Sequence, residues 1–513
     1  MVESVYINSD DSSSKAASSV NSDNDRAAGI LLAVSSLPSP YGIGSFGAAA
    51  RQWIEFLRDA GQKYWQILPL GPTGWGNSPY QSFSAFALNP YYIDLDILCE
   101  QGLLVKDDLA GVPWGRRAAE ADYAALYRRR ERILRRAFSR FKPDGAFADF
   151  CAKQDFWLAD YSLFMTIKQK NKGSSWLEWD ESLRFRDEAA LSRIKNRFAA
   201  DIGYHSFVQY QAYTQWEAVK KYANSVGVSI IGDIPIYVSM DSADTWANSK
   251  LFLLDERRRP IRVSGCPPDP FAAGGQLWGN PLYRWDVLDQ TGYAWWLSRL
   301  RVSFELCDVV RIDHFRGFES YYSIEAGSPD ARNGEWVKGP GLAFVKAVNR
   351  AMPGAAIIAE DLGYLTAEVR NLLAASGYPG MKVLQFAFDS REPTDYMPHK
   401  FERNCVVYTG THDNSTSLGW FKAAPPEDAA LALEYLGLSN PRSGNWAFIR
   451  AALSSVANLA IVPMQDYLDL NDTARMNTPS TTGGKNWCWR MTSGALSGEL
   501  ANRIRRLTRI TGR

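Results

Sequence analysis

Eight short apolar runs recur in order along this chain, and they constrain its fold more than any other feature. They are Gly29–Ser36, Tyr64–Leu70, Val228–Val238, Asp308–Phe315, Ala355–Leu362, Met381–Phe388, Cys405–Asp413 and Ala457–Asp466. Stretches such as VSIIGDIPIYV and ANLAIVPM are near-continuously apolar, as expected of parallel strands covered on both faces. Helical patterns lie between several of the runs, at Ala48–Ala60, Thr291–Arg301 and Pro340–Ala351. This alternation predicts an α/β fold, a (β/α)8 TIM barrel, in preference to an open doubly wound sheet. No GxGxxG follows the first run, which argues against a dinucleotide fold.

The spacing between runs is uneven. Residues 71–227 separate the second run from the third, far more than one crossover helix requires. Asp122–Arg140, Gln154–Gln169 and Glu188–Ala200 look helical, so this gap reads as a large, mainly helical insertion on the barrel rim. A loop insertion is expected between the third and fourth strands, at about 239–290. Its segment Ser239–Pro281 is rich in Gly, Pro, Asp and Trp and reads as a long loop over the barrel mouth. Residues 467–513 suffice for closing helices and leave no room for a C-terminal β-sandwich. Residues 1–27 are rich in Ser, Asp and Asn and have no apolar h-region, so they read as a disordered leader and not a secretory signal. The catalytic barrel is then expected over 28–513.

Charge and cysteine usage exclude several function classes. Lys+Arg 57 against Asp+Glu 56 leaves a net charge of +1, so no global field recruits nucleic acid or anionic membrane. The one basic cluster, Arg128, Arg129, Arg130, Arg132, Arg135 and Arg136, is interrupted by Glu131 and reads as a solvated helix face. No apolar run approaches the length of a membrane span. None of the six cysteines forms a CxxC pair, which fits reduced thiols in a cytoplasmic protein better than a metal site or a disulfide framework. The 18 Trp, 24 Tyr and 24 Phe are a heavy aromatic load; most fill core, but such rings also suit sugar faces.

In a TIM barrel, functional side chains project from the C-terminal ends of the strands. Here the fourth run ends in Arg311-Ile312-Asp313-His314, the fifth in Glu360-Asp361-Leu362-Gly363 and the seventh in Thr411-His412-Asp413-Asn414. Three carboxylates therefore converge on one mouth. A retaining glycosidase needs such a set: one ionised carboxylate to attack the anomeric carbon, and a protonated one, roughly 5 Å away, to release the leaving oxygen. Arg311 and Asp313 are two apart on a strand and point to one side, so the cation favours the charged form of Asp313. Glu360 follows an apolar Ile357-Ile358-Ala359 wall that favours its protonated form. Asp313 is thus the expected nucleophile and Glu360 the acid/base, with Asp413 holding sugar hydroxyls. Asp233, alone in the third run, reads as structural. Two of the four histidines, His314 and His412, abut these carboxylates, while His205 and His399 have no such context. The chain has neither a GxSxG elbow nor an HExxH motif.

These segments resemble the 4-α-glucanotransferases, the amylomaltases or disproportionating enzymes of glycoside hydrolase family 77 in the α-amylase clan. Further segments carry the resemblance over roughly residues 28–510: Leu37-Pro38-Ser39-Pro40-Tyr41-Gly42-Ile43-Gly44, Tyr64-Trp65-Gln66-Ile67-Leu68-Pro69-Leu70-Gly71-Pro72, Asn77-Ser78-Pro79-Tyr80-Gln81-Ser82-Phe83 and Gly275-Gln276-Leu277-Trp278-Gly279-Asn280-Pro281. The resemblance implies a retaining double displacement between α-1,4-glucans or maltooligosaccharides as donors and glucose or maltooligosaccharides as acceptors. It implies no metal or organic cofactor, and no calcium-loop pattern is present. It places Arg311, His314, His412, Ser78, Tyr80, Asp269, Gln276 and Trp278 near the substrate, with Asp269 to Trp278 as a flap over the glucan. Trp75 falls where relatives carry an aromatic residue in a sugar-binding platform. The alternative enzyme is an α-amylase-type hydrolase on the same carboxylates, and a catalytically silent glucan-binding protein is the reading from another class.

Overall fold

The structure, a computed structural model, is described over residues 26–268, 273–363, 365–392, 394–440 and 443–513. All eight apolar runs supply strands of one parallel sheet: β1 (Ala27–Leu31), β2 (Tyr64–Gln66), β3 (Ser229–Pro235), β4 (Val309–Asp313), β5 (Ile357–Ala359), β6 (Gly380–Val383), β7 (Cys405–Tyr408) and β8 (Leu459–Pro463). Their order is β6-β7-β8-β1-β2-β3-β4-β5, so each strand lies beside its chain neighbour and β1 closes on β8. The ends of this order, β5 and β6, share no ladder. They meet through the Ala359 amide, which donates to the Pro379 carbonyl at 3.0 Å, and the Met381 amide, which donates to the Asp361 carboxylate at 2.7 Å. Gly380 makes the approach possible, since a Cβ there would lie 2.7 Å from Asp361 Oδ2. The TIM barrel expected from the pattern is present, with its last seam clasped by a side chain.

The strands are shorter than the apolar runs that announce them. Ile67, Leu68 and Leu70 stay buried after β2 ends at Gln66, because the loops leaving the C-terminal rim are themselves packed. Ile230, Ile231, Val310, Ile358, Val406, Val407, Ile461 and Val462 have no exposed surface, as strands covered on both faces require. The helix Ala48–Asp59 covers the outside with Trp53, Ile54 and Leu57.

The segment between β2 and β3 is mainly helical, with Tyr123–Arg140, Asp155–Lys170 and a 27-residue helix, Ala199–Ser225, as its largest members. The predicted helix Glu188–Ala200 ends at Arg197, and the long helix begins two residues later. That helix pins the irregular chain leading from the C-terminal rim of the barrel. The Gln209 carboxamide bonds both the amide and the carbonyl of Leu88 (2.8 and 2.9 Å), and Gln215 does the same for Asp94 (2.7 and 3.2 Å). Near its other end, the Lys220 ammonium donates to the carbonyls of Phe304, Glu305 and Cys307, capping the helix Ala294–Leu306. Within the arginine cluster, Arg130 departs from the solvated-face expectation. It is fully buried, bonds the Tyr91 carbonyl and lies over Trp114.

The segment after β3, expected to be a loop, is more ordered than that. Arg262–Cys266 and Gln276–Pro281 are antiparallel strands, and Ser320–Glu325 and Glu335–Lys338 join them in a four-stranded rim sheet. Arg262–Cys266 and Gln276–Pro281 pair with each other, and the other two strands are supplied only after β4, so the four-stranded sheet is not legible from this segment alone. The expected leader falls on residues 1–25, outside the described residues, apart from Arg26 and Ala27; Ala27 already belongs to β1.

Candidate active site

Alternation along β4 carries Arg311 and Asp313 to the same side of the strand. Register adds a third group, because Arg311 lies beside Asp233 of β3. The Arg311 guanidinium is 4 % exposed and its donors are divided among neighbours. Nη1 donates to both oxygens of Asp233 (2.7 and 2.8 Å), Nη2 stands 3.0 Å from Asp313 Oδ1, and Nε faces Met381 Sδ at 3.3 Å. Asp233 also accepts from the Tyr80 hydroxyl at 2.7 Å. Asp233 was legible only as a structural strand-end residue, yet it holds both the arginine and the tyrosine of the site.

Tyr80 links this group to β7. Its ring stacks on His412 with centroids 5.1 Å apart and planes 16° from parallel. His412 Nε2 lies 3.3 Å from Asp413 Oδ1, which also accepts from Asn477 Nδ2 at 2.7 Å. The Arg475 guanidinium donates to the Asp413 carbonyl at 2.5 Å. Nothing in the local sequence pointed to Asn477 or Arg475, which reach the site from the segment after β8.

Past β4, the chain turns sharply at His314, whose φ of 56° is left-handed. This turn aims the His314 amide at Glu360 Oε2 (2.7 Å), while the Leu362 amide reaches Oε1 (2.6 Å). The backbone beside Asp313 therefore grips Glu360. The His314 ring meets Trp278 edge-on at 4.7 Å, and Trp278 Nε1 donates to Gln276 Oε1 at 3.1 Å. Burial, and then Arg316, push His314 down to about 3, so its ring is neutral, and its buried Nε2 has no hydrogen-bond partner among the described residues.

Burial, and then the charge of Asp313, push the Glu360 carboxyl up to about 7, against Arg311 and its two amide donors. Asp313 is raised as well, by burial, and Arg311 is the largest influence holding it down. The expected effect of the cation is present, in the expected direction, but burial outweighs it. The side chain of Asp313 nevertheless keeps 30 % of its exposure, whereas Glu360 as a residue is 9 % exposed.

The structure brings Arg311, Asp313, His314, Glu360, His412, Asp413, Tyr80, Gln276 and Trp278 into one connected group. Ser78 lies on the Tyr80 turn, where its Oγ accepts from the Tyr80 amide at 3.3 Å. Trp75, near the tip of that turn, is 96 % exposed. Asp269 lies outside the described residues.

The sequence profile of glycoside hydrolase family 77, described as 4-alpha-glucanotransferase, matches residues 32–496. The 4-alpha-glucanotransferase of Clostridium butyricum is 48 % identical over 484 residues, covering 94 % of this chain and 99 % of that one. This chain belongs to the 4-alpha-glucanotransferase family. The Thermus thermophilus member is 46 % identical over 501 residues, covering 95 % of this chain and 99 % of its own. Among solved structures, the family fold recurs in the amylomaltase from Streptococcus agalactiae in complex with acarbose. It matches with a TM-score of 0.92 at 38 % identity, over 95 % of this chain and 99 % of that one. Amylomaltase from Corynebacterium glutamicum matches with a TM-score of 0.77 at 18 % identity, over 94 % and 75 %, a likeness of fold alone. None of the described helices of this family member is long and apolar enough to cross a membrane.

Proposed function

We propose that this chain moves α-1,4-glucan segments between maltooligosaccharides, or onto glucose, by retaining double displacement, and that it works in the cytoplasm as a single catalytic unit over 28–513. The observation that carries the chemistry is the unequal treatment of two adjoining carboxyls. Asp313 has a guanidinium at 3.0 Å and remains partly open, whereas Glu360 is buried and pushed up to about 7. Glu360 is therefore the carboxyl of the two that is favoured to carry a proton, and Asp313 the one open to attack.

Asp313 then attacks the anomeric carbon while Glu360 passes its proton to the glycosidic oxygen, and the bond to the leaving glucan breaks. The 4-hydroxyl of an acceptor sugar next returns a proton to Glu360 as it displaces Asp313. Asp413, held by Asn477 and His412, is placed to grip hydroxyls of the sugar being transferred. The neutral His314, whose Nε2 meets no partner among the described residues, offers a further hydrogen-bonding atom beside the same bond. Tyr80, Gln276 and Trp278 supply stacking and polar contacts on either side, and Ser78 and Asp269 are assigned to the same substrate channel. Acarbose in the Streptococcus agalactiae relative, whose chain aligns along nearly its whole length, supports a sugar ligand for this mouth.

Purified protein incubated with maltotriose tests the reading. A ladder of longer maltooligosaccharides plus glucose, with reducing ends nearly constant, is expected. A steady rise in reducing ends would make water the acceptor and replace transfer with hydrolysis.

A further inference from the structure

One aromatic side chain outside the group described above is displayed to solvent yet packed against two neighbours. Trp336, on the Glu335–Lys338 edge strand of the rim sheet, is 43 % exposed. Single exposed aromatics are common and need no explanation. This one is clamped. The Arg316 guanidinium lies over its ring at 3.9 Å, and Tyr322, its cross-strand partner, packs edge-on at 5.2 Å.

The clamp comes from the catalytic segment. Arg316 is 6 % exposed and follows Asp313 by three residues, so their Cα atoms lie within about 11 Å. It is near enough to Glu360 for the two charges to interact. The same sheet carries Trp278 on its opposite edge strand, where that ring meets His314. One small sheet thus spans from the reaction centre to an exposed indole packed between Arg316 and Tyr322.

We propose that Trp336 is a stacking subsite for a glucan chain beyond the sugars that flank the scissile bond. A sugar ring presents an apolar C–H face that suits an indole. Arg316 and Tyr322 pack against the ring on two sides, an arrangement that lowers the side-chain entropy lost when a sugar stacks there. Trp336 therefore discriminates by chain length: short maltooligosaccharides end before it and long ones reach it.

This inference rests on the transferase reading, and one experiment separates the two. Binding of maltotriose and maltoheptaose is measured by calorimetry on the Asp313→Asn protein, which blocks turnover, with and without Trp336→Ala. We expect maltoheptaose affinity to fall by about five-fold and maltotriose affinity to change by less than about two-fold. Trp336→Phe, which keeps a flat ring, restores most of the long-chain affinity and serves where the alanine variant does not fold. Equal weakening of both sugars would reduce Trp336 to a support for Arg316, and unchanged maltoheptaose binding would remove the subsite; either result overturns the proposal. If the Asp313→Asn parent binds neither sugar, the transferase reading itself falls.

Discussion

Asp233 accepts two hydrogen bonds from one nitrogen of Arg311, at 2.7 and 2.8 Å, and so turns the other nitrogen toward Asp313. The arrangement places a buried carboxylate behind the cation that faces the proposed nucleophile. Removing it would leave that cation shared between fewer acceptors in a dry site. Asp233→Ala is expected to cost about 3 kcal/mol of stability, as removal of one partner from a buried pair does, and to lower kcat as Arg311 loses its anchor. Chemical denaturation and steady-state kinetics check both. An unchanged kcat would mean that Arg311 needs no second carboxylate.

Asp313→Asn removes the proposed nucleophile with little change in shape. Loss of kcat on the order of 10^4-fold is expected, with sugar binding largely kept, because the group acts on the transition state. Product analysis with maltotriose, alongside calorimetry, separates rate from affinity. Full turnover in this variant would end the assignment of Asp313.

Glu360 gives a pH signature of definite sign. Its carboxyl, ordinarily 4.5, is pushed up to about 7, so the fold binds that proton more tightly than the unfolded chain does. The contribution is fully present below about 4.5 and is lost as pH rises through about 7. Glu360→Gln, which cannot ionise, should gain thermal stability relative to the parent between pH 5 and pH 8. The parent's kcat/KM should fall above about 7 as the acid/base loses its proton. A stability difference that does not vary with pH would contradict the raised carboxyl.

Gly380→Ala tests the barrel seam. The added methyl would stand 2.7 Å from Asp361 Oδ2, in space the carboxylate needs in order to reach the Met381 amide. A loss of about 1–3 kcal/mol is expected, the usual result of overpacking a buried contact. Thermal denaturation measures it directly.

Much of this molecule is legible in its residues because parallel strands buried on both faces leave an unbroken apolar trace, and every one of the eight was located that way. The carboxylates at the ends of β4, β5 and β7 follow from the same trace. What stays hidden depends on register and on distant segments. Asp233 matters because it lies beside Arg311 across a ladder, and no spacing along one chain reveals which residues two strands place side by side. Asn477 joins the site from beyond β8 for the same reason. The helix Ala199–Ser225 escaped because polar residues such as Gln209 and Gln215 are buried to hold other backbone, which blurs any apolar stripe.

The clasp between Asp361 and Met381 also sets where this barrel gives way. Seven of its junctions are ladders of backbone hydrogen bonds, and the eighth, beside the strand leading to Glu360, depends on one amide–carbonyl contact and one carboxylate. Regions with fewer backbone bonds open at lower free energy, so amide exchange should begin at β5 and β6 while β1 and β8 remain protected. The proposed acid/base would thus sit on the stave of the cask expected to yield first.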